Sequence, residues 1–308
     1  MGMPILTAEK SGFGWGPEGG QFSLFFLPGQ PQWTIPPALD HEAFDVVRSD
    51  STTITLVKDL ELKNFSGTSF KAKITRTITL LGTDEICSAL GIKSGHFSVV
   101  AYQSENRLQN TGDTCWNKKE GALSIWMLSM LKAFPSVTVI IPLRKEHQTP
   151  VVRDYFGGIP GSRLKTTDHA VFFKTDGEFR SKIGLLPEQV LPYIASYDAG
   201  NQLLTILEYS LTDPEAAYVN SSLEREQADP FSGDVVNAYN DGPSKDGPGI
   251  GPLYELETSS PAALLEPGEE IAYTQRIFHL HGQAEDMEAL ALQLLHVSLA
   301  DLEDAFSN

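Results

Sequence analysis

The stretch 70–81 alternates with a period of two, which commits a chain to strand rather than helix. Phe70, Ala72, Ile74, Arg76, Ile78 and Leu80 fall on one face, and Lys71, Lys73, Thr75, Thr77 and Thr79 on the other. Shorter strand signals recur at 52–57, 97–103, 123–130, 137–141, 170–173, 179–183, 203–211, 218–225 and 272–280. Turn-forming residues separate them, with 26 Gly and 19 Pro in the chain, and no repeat of fixed period links them. About a dozen short strands and hardly any helix predict an all-β fold, a large antiparallel sandwich. One domain spanning 1–308 accounts for the chain, with strands to about 282. Only the end reads as helical. Met287, Leu290, Ala291 and Leu294 recur at helical spacing within 285–296, and Ser298 with Asp301 predicts the N-cap of a last short helix. A short C-terminal helical appendage is therefore expected over about 285–306.

The net charge of −17 argues against a nucleic-acid or anionic-membrane partner, both of which need a basic surface. No apolar run approaches the ~18 residues of a membrane span, and residues 1–10 lack the basic start and apolar core of a signal peptide. The expectation is a soluble chain, cytoplasmic by default. Cys87 and Cys115 match no metal-ligand spacing and read as ordinary buried thiols.

Chemistry concentrates at 233–261. The run 253–258 alternates, so Leu253, Glu255 and Glu257 share one face and Tyr254, Leu256 and Thr258 the other. Two carboxylates about 7 Å apart then stand side by side, behind a loop that carries Asn237, Asn240 and Asp241. A proton-transfer pair and a solvated edge strand with two surface acids both fit that pattern. On 179–183, Arg180 and Lys182 share a face opposite Phe179, Ser181 and Ile183, so a basic pair is able to meet the acidic one. Arg76 is the one cation on the apolar face of its strand, which fits either a structural ion pair or a ligand contact. The glycine-rich stretch 11–20 reads as a turn bearing Trp15 and Glu18 before a strand at 21–26. No strand signal precedes these glycines, which discounts a phosphate-binding loop.

His279 and His281 lie on one strand face, but a metal site needs further ligands that the sequence does not supply. Asn240-Asp241-Gly242 with Asp246-Gly247 has the composition of a calcium loop without its spacing, and a turn fits better. A Gly-x-Ser-x-Gly elbow and a Cys/His nucleophile signature are both missing. The reading thus calls for no cofactor and no metal. Trp15, Trp33, Trp116, Trp126, Tyr239 and Tyr254 lie in or beside polar turns and strands. Sugars stack on apolar faces and hydrogen-bond at their rims, which suits this mixture of aromatic, amide, carboxylate and Arg side chains; core packing accounts for some of them equally well.

Several stretches resemble a family of uncharacterised bacterial proteins, common in Bacteroidetes, that belongs to the galactose-mutarotase-like β-supersandwich. They are Gly16-Pro17-Glu18-Gly19-Gly20-Gln21-Phe22, Phe179 to Gly184, Tyr218 to Ser221, Gly233 to Asn237, Asn240 to Pro243 and Tyr254 to Pro261. The resemblance implies the fold; it implies function only by analogy, because that fold hosts sugar epimerases, lyase and hydrolase domains and plain binding domains. In aldose epimerases of this fold a late-strand Glu removes the anomeric hydroxyl proton and a His donates to the ring oxygen. Glu257 or Glu255 matches the Glu, Arg76, Arg180 or Lys182 is available as the electrophile, and no His here falls in an epimerase-like motif, with His96 and His169 the mid-chain candidates. Two readings follow: a carbohydrate-binding, aldose 1-epimerase-like protein with its ligand on the concave sheet face, and a non-catalytic carbohydrate-binding or interaction domain. Family members carry a strand region before the Gly-Pro-Glu-Gly-Gly motif, often with an export signal, so missing N-terminal strands and export form the alternative expectation. Oligomeric state is left open.

Overall fold

The computed structural model describes residues 10–26, 32–92, 97–145, 152–245 and 247–306. His96 and Asp246 fall outside them. The strands are β1 (Lys10–Gly16), β2 (Asp45–Ser49), β3 (Thr53–Lys63), β4 (Ser69–Leu80), β5 (Ser98–Asn110), β6 (Ser124–Lys132), β7 (Val137–Pro142), β8 (Arg153–Asp154), β9 (Leu164–Thr166), β10 (Ala170–Lys174), β11 (Ser181–Leu185), β12 (Tyr193–Asp198), β13 (Leu203–Tyr209), β14 (Val236–Asn240), β15 (Leu253–Ser259) and β16 (Glu270–His281). They form a six-stranded sheet, β1-β6-β15-β14-β11-β8, and a ten-stranded sheet, β2-β3-β4-β5-β16-β13-β12-β7-β10-β9. Neighbouring strands run antiparallel throughout both sheets.

The main core lies between the sheets. Ile183, Ala238 and Leu256 of the small sheet meet a cluster that includes Ile74, Leu108, Val139, Ile141 and Phe173 of the large one. Each fully buried Val, Leu, Ile or Phe side chain among them contributes roughly 1.5–3 kcal/mol. Two polar bridges cross the same space and fix how the sheets align: Tyr254 with Ser196 at 2.8 Å and Gln275 to Thr258 at 3.0 Å. On β4 the period of two holds, with Phe70, Ala72 and Ile74 buried and Lys71 exposed. Thr53 with Thr79 and Thr55 with Thr77 form hydroxyl pairs across β3 and β4.

The outer face of the large sheet is also apolar and is covered by helices. These are α2 (Thr83–Leu90), α3 (Ala284–Leu290) and α4 (Leu299–Asp304), following a short α1 (Pro37–Asp40). Ile86, Met287, Leu290, Leu294 and Leu302 pack on Phe172, Ile206, Phe278 and Leu280. The expected helix at 285–296 is α3 continued by a π-helical turn, Ala291–Leu295, and ended by His296 in the left-handed region. Ser298 caps α4, accepting from the Asp301 amide at 3.0 Å.

Four local expectations are corrected. The glycine-rich stretch is mostly strand β1, whose alternation sends Phe13 and Trp15 toward the core and glycines to the other face. Residues 21–26 form turns, tied by Ser23 Oγ to the Glu18 carbonyl and to the Phe25 and Phe26 amides. Residues 218–225 are loop apart from one bridge, Tyr218 to Ser232: Tyr218 buries in the main core and Val219 against Ala122, Phe231 and Ala262, while the polar remainder stays outside any ladder. Cys87 is half-buried and Cys115 exposed, so neither is a buried thiol.

Candidate functional site

Strand pairing decides which side chains meet on the six-stranded sheet. Glu257 pairs with Asn237 and Leu128, Glu255 with Tyr239 and Met130, Lys182 with Tyr239, Gly184 with Asn237 and Arg153, and Ser259 with Trp126. Directly paired residues project to the same side of a sheet. Arg153, Lys182, Asn237, Tyr239, Glu255, Glu257 and Trp126 therefore share one face, opposite Ile183, Ala238 and Leu256, and it is the face turned away from the large sheet.

At its centre is a buried ion pair. Lys182 Nζ lies 2.9 Å from Glu257 Oε2 and 3.4 Å from Glu18 Oε2. Trp126 Nε1 donates to the same Glu257 oxygen at 2.9 Å, while Glu257 Oε1 is buried with no donor among the described residues. Glu257 is 0% exposed. The Lys182 ammonium also stands 5.1 Å from the Trp126 ring and 5.3 Å from the Tyr155 ring, within cation–π range of both. Beside this group, Tyr155 Oη donates to Asp234 Oδ2 at 2.7 Å, and Arg153 lies 3.4 Å from Asp234 Oδ1. Two glycines make the arrangement fit: a Cβ on Gly184 would collide with Asp234 and Asn237, and one on Gly14 would press on the Trp126 ring at 3.2 Å. The turn that carries Glu18 seals the edge, where the Glu18 amide donates to Ser221 Oγ at 3.2 Å and Gln21 pairs with the Gln227 backbone.

Environment sets the protonation states. Burial pushes the Glu255 carboxyl up, and Glu257 adds to it while Lys182 opposes, leaving its pKa at about 8. Burial by itself would lower Lys182, but Glu257 and Glu18 outweigh it and hold the ammonium charged well above the usual range. Burial raises the Tyr155 hydroxyl and the Asp234 carboxyl, the second against the pull of Arg153. One carboxylate is thus clamped by a cation while its neighbour carries a proton at neutral pH, the division of roles that acid–base chemistry requires.

Of the residues marked in the sequence, Glu257, Glu255, Lys182, Asn237 and Glu18 come together here. Central placement of β15 in its sheet removes the solvated-edge alternative. Arg180 lies at the rim, its guanidinium 4.4 Å from the Phe156 ring. Asn240 and Asp241 hold loops: Asn240 accepts from Gly177 N and donates to the Phe179 carbonyl, and Asp241 accepts from Tyr239 Oη and the amides of Ile250 and Gly251. Trp15 is in the core. Arg76 is on the large sheet, 5.3 Å from the Phe13 ring, and burial lowers its pKa. The cation that meets Glu257 is Lys182. Trp126, marked only among the aromatics suited to sugars, belongs to the site as the donor to Glu257, and Tyr155 and Asp234 belong to it without having been singled out.

His279 is buried against Thr205 Oγ1 at 3.0 Å in the large sheet. Among the described residues no group of three His, Cys, Asp or Glu is placed to hold a metal ion, and no helix is long and apolar enough to cross a membrane.

No curated protein matches the chain. Among solved structures, the Slr1438 protein from Synechocystis sp. PCC 6803 aligns over 88% of this chain and 78% of its own, with 11% identity and a TM-score of 0.50. A galactose mutarotase-like protein from Lactobacillus casei ATCC 334 aligns over 88% and 85%, with 11% identity and a TM-score of 0.47. A putative mutarotase from Salmonella typhimurium aligns over 82% and 70%, with 12% identity and a TM-score of 0.41. At such identity the likeness to the first is one of fold, two antiparallel sheets with short helices. The model of a family of unknown function, DUF6786, matches residues 9–306, and the chain belongs to that family.

Proposed function

We propose that the outer face of the six-stranded sheet binds a carbohydrate and that Glu255 and Glu257 carry out aldose 1-epimerase-type proton transfer on it. The observation that carries the reading is the unequal carboxylate pair, with Glu257 held by Lys182 and Trp126 and Glu255 titrating at about 8. Glu257 takes the proton of the anomeric hydroxyl. As the C1=O bond forms, the bond from C1 to the ring oxygen breaks, its electron pair goes to that oxygen, and Glu255 donates the proton it needs. Rotation about C1–C2 and the reverse transfers close the ring as the other anomer. Tyr239 and Arg180 at the rim supply hydrogen-bonding groups that a polyol demands.

A second reading, a non-catalytic carbohydrate-binding domain, draws on the absence of any histidine from this cluster among the described residues. NMR exchange or polarimetry on a panel of aldoses separates the two. Anomer exchange accelerated by wild type and lost in Glu257→Gln or Glu255→Gln supports the epimerase. Binding that both variants weaken, with no acceleration by wild type, supports the binder. A protein that neither binds nor epimerises any sugar refutes both.

A further inference from the structure

Trp33 is an exposed aromatic, and three observations link it to the site. Its ring stacks on Phe25 at 5.2 Å with the planes 12° apart, and Phe25 in turn meets Trp126 edge-on at 5.9 Å. Trp126 is the side chain that donates to Glu257, so a continuous aromatic ladder runs from the buried carboxylate to the surface. Phe25 is buried, whereas Trp33 remains 44% exposed. The backbone adds a tie: the Thr34 amide donates to the Phe25 carbonyl at 2.9 Å, holding the segment next to Trp33 to the turn that bears Glu18. A large aromatic held half-open loses little entropy when a partner lands on it. An incidental surface tryptophan needs neither a stacked, buried partner nor a backbone clamp.

Resting on the carbohydrate reading above, we infer that Trp33 is a second sugar subsite and that the ligand is therefore an oligosaccharide rather than a free monosaccharide. The C–H face of a pyranose ring is apolar and matches an indole face, while its hydroxyls stay in water. Two ring contacts separate Trp33 from Trp126, a span that a saccharide of two or more units covers and one ring does not.

The test compares wild type, Trp33→Ala, Trp33→Phe and Glu257→Gln by calorimetry, with galactose against lactose and glucose against cellobiose and maltotriose as probes. The inference expects Trp33→Ala to weaken a di- or trisaccharide by roughly 3- to 10-fold, to leave the matching monosaccharide unchanged, and to be largely rescued by Trp33→Phe. Glu257→Gln is expected to weaken ligands of every length. Equal affinity of wild type for mono- and oligosaccharides, or no effect of Trp33→Ala on the longer ones, overturns the subsite while leaving the carbohydrate reading standing. Wild type that binds none of these sugars overturns both.

Discussion

The two sheets bury their outer faces in opposite ways. On the large sheet Phe172, Ile206, Phe278 and Leu280 meet Met287, Leu290, Leu294 and Leu302, apolar against apolar. On the small sheet Lys182, Glu257, Asn237 and Trp126 are buried beneath the turn that carries Glu18. The first arrangement stabilises by removing apolar area from water. The second at best breaks even, because taking two charges out of water offsets their attraction, and a hydrophobic replacement is often as stable. A charged face kept under cover is thus better explained by chemistry than by stability. The buried lysines differ in what surrounds them. Lys58 donates to the carbonyls of Ala38 at 2.6 Å and Glu42 at 3.0 Å and lies 3.4 Å from the half-exposed Glu42 carboxylate, tying down α1, whereas Lys182 faces the fully buried Glu257 and, from a separate segment, Glu18.

The largest expected effect is from Lys182→Met, which strands Glu257 without its cation. It should destabilise by about 3–5 kcal/mol in urea unfolding, and adding Glu257→Leu should recover most of that. A neutral single variant would show that the cluster is looser than its distances imply. Next comes Leu290→Ala in the helical cover, at about 3 kcal/mol for a buried leucine, with saccharide binding unchanged at temperatures where the variant is folded. Loss of binding there would couple two faces that the structure separates.

A smaller effect is expected from Glu255 and pH. Its carboxyl titrates near 8 in the folded chain, against an ordinary glutamate value of about 4.3 when unfolded. The folded state therefore binds the extra proton between those values, and stability from this group falls as pH rises through that window. Glu255→Gln should flatten the decline in melting temperature between pH 5 and 9, with its largest stabilisation relative to wild type at the alkaline end. An unchanged profile would place Glu255 in a more solvated setting than its neighbours suggest.

Much of the site was legible because its two key strands alternate. A period of two on β15 put Glu255 and Glu257 together, and on β11 it put Lys182 with Arg180. What alternation does not say is which face a strand turns to the core. In β1 the glycines read as a turn, which hides the alternation that sends Phe13 and Trp15 to the core and leaves Trp15 among the candidate ligand contacts. In β6 both faces carry apolar residues, Trp126, Leu128 and Met130 against Ile125 and Met127, and Trp126 did not stand out as the donor to Glu257. Tyr155 just follows a two-residue strand and Asp234 just precedes β14, both too short in pattern for periodicity to register. Arg76 was read correctly as a buried cation on an apolar face; its neighbour across the core, Phe13, depends on sheet packing that no local pattern encodes.

The central claim is that the charged outer face of the small sheet, and not the interior between the sheets, receives the ligand. A crystal structure after soaking with an oligosaccharide tests it most directly. The account predicts sugar density against Glu255, Tyr239 and Arg180, with the reducing end directed at Glu257 and a further ring over Trp33. Density between the two sheets beside Arg76, or elsewhere on the surface with this face left empty, would contradict it.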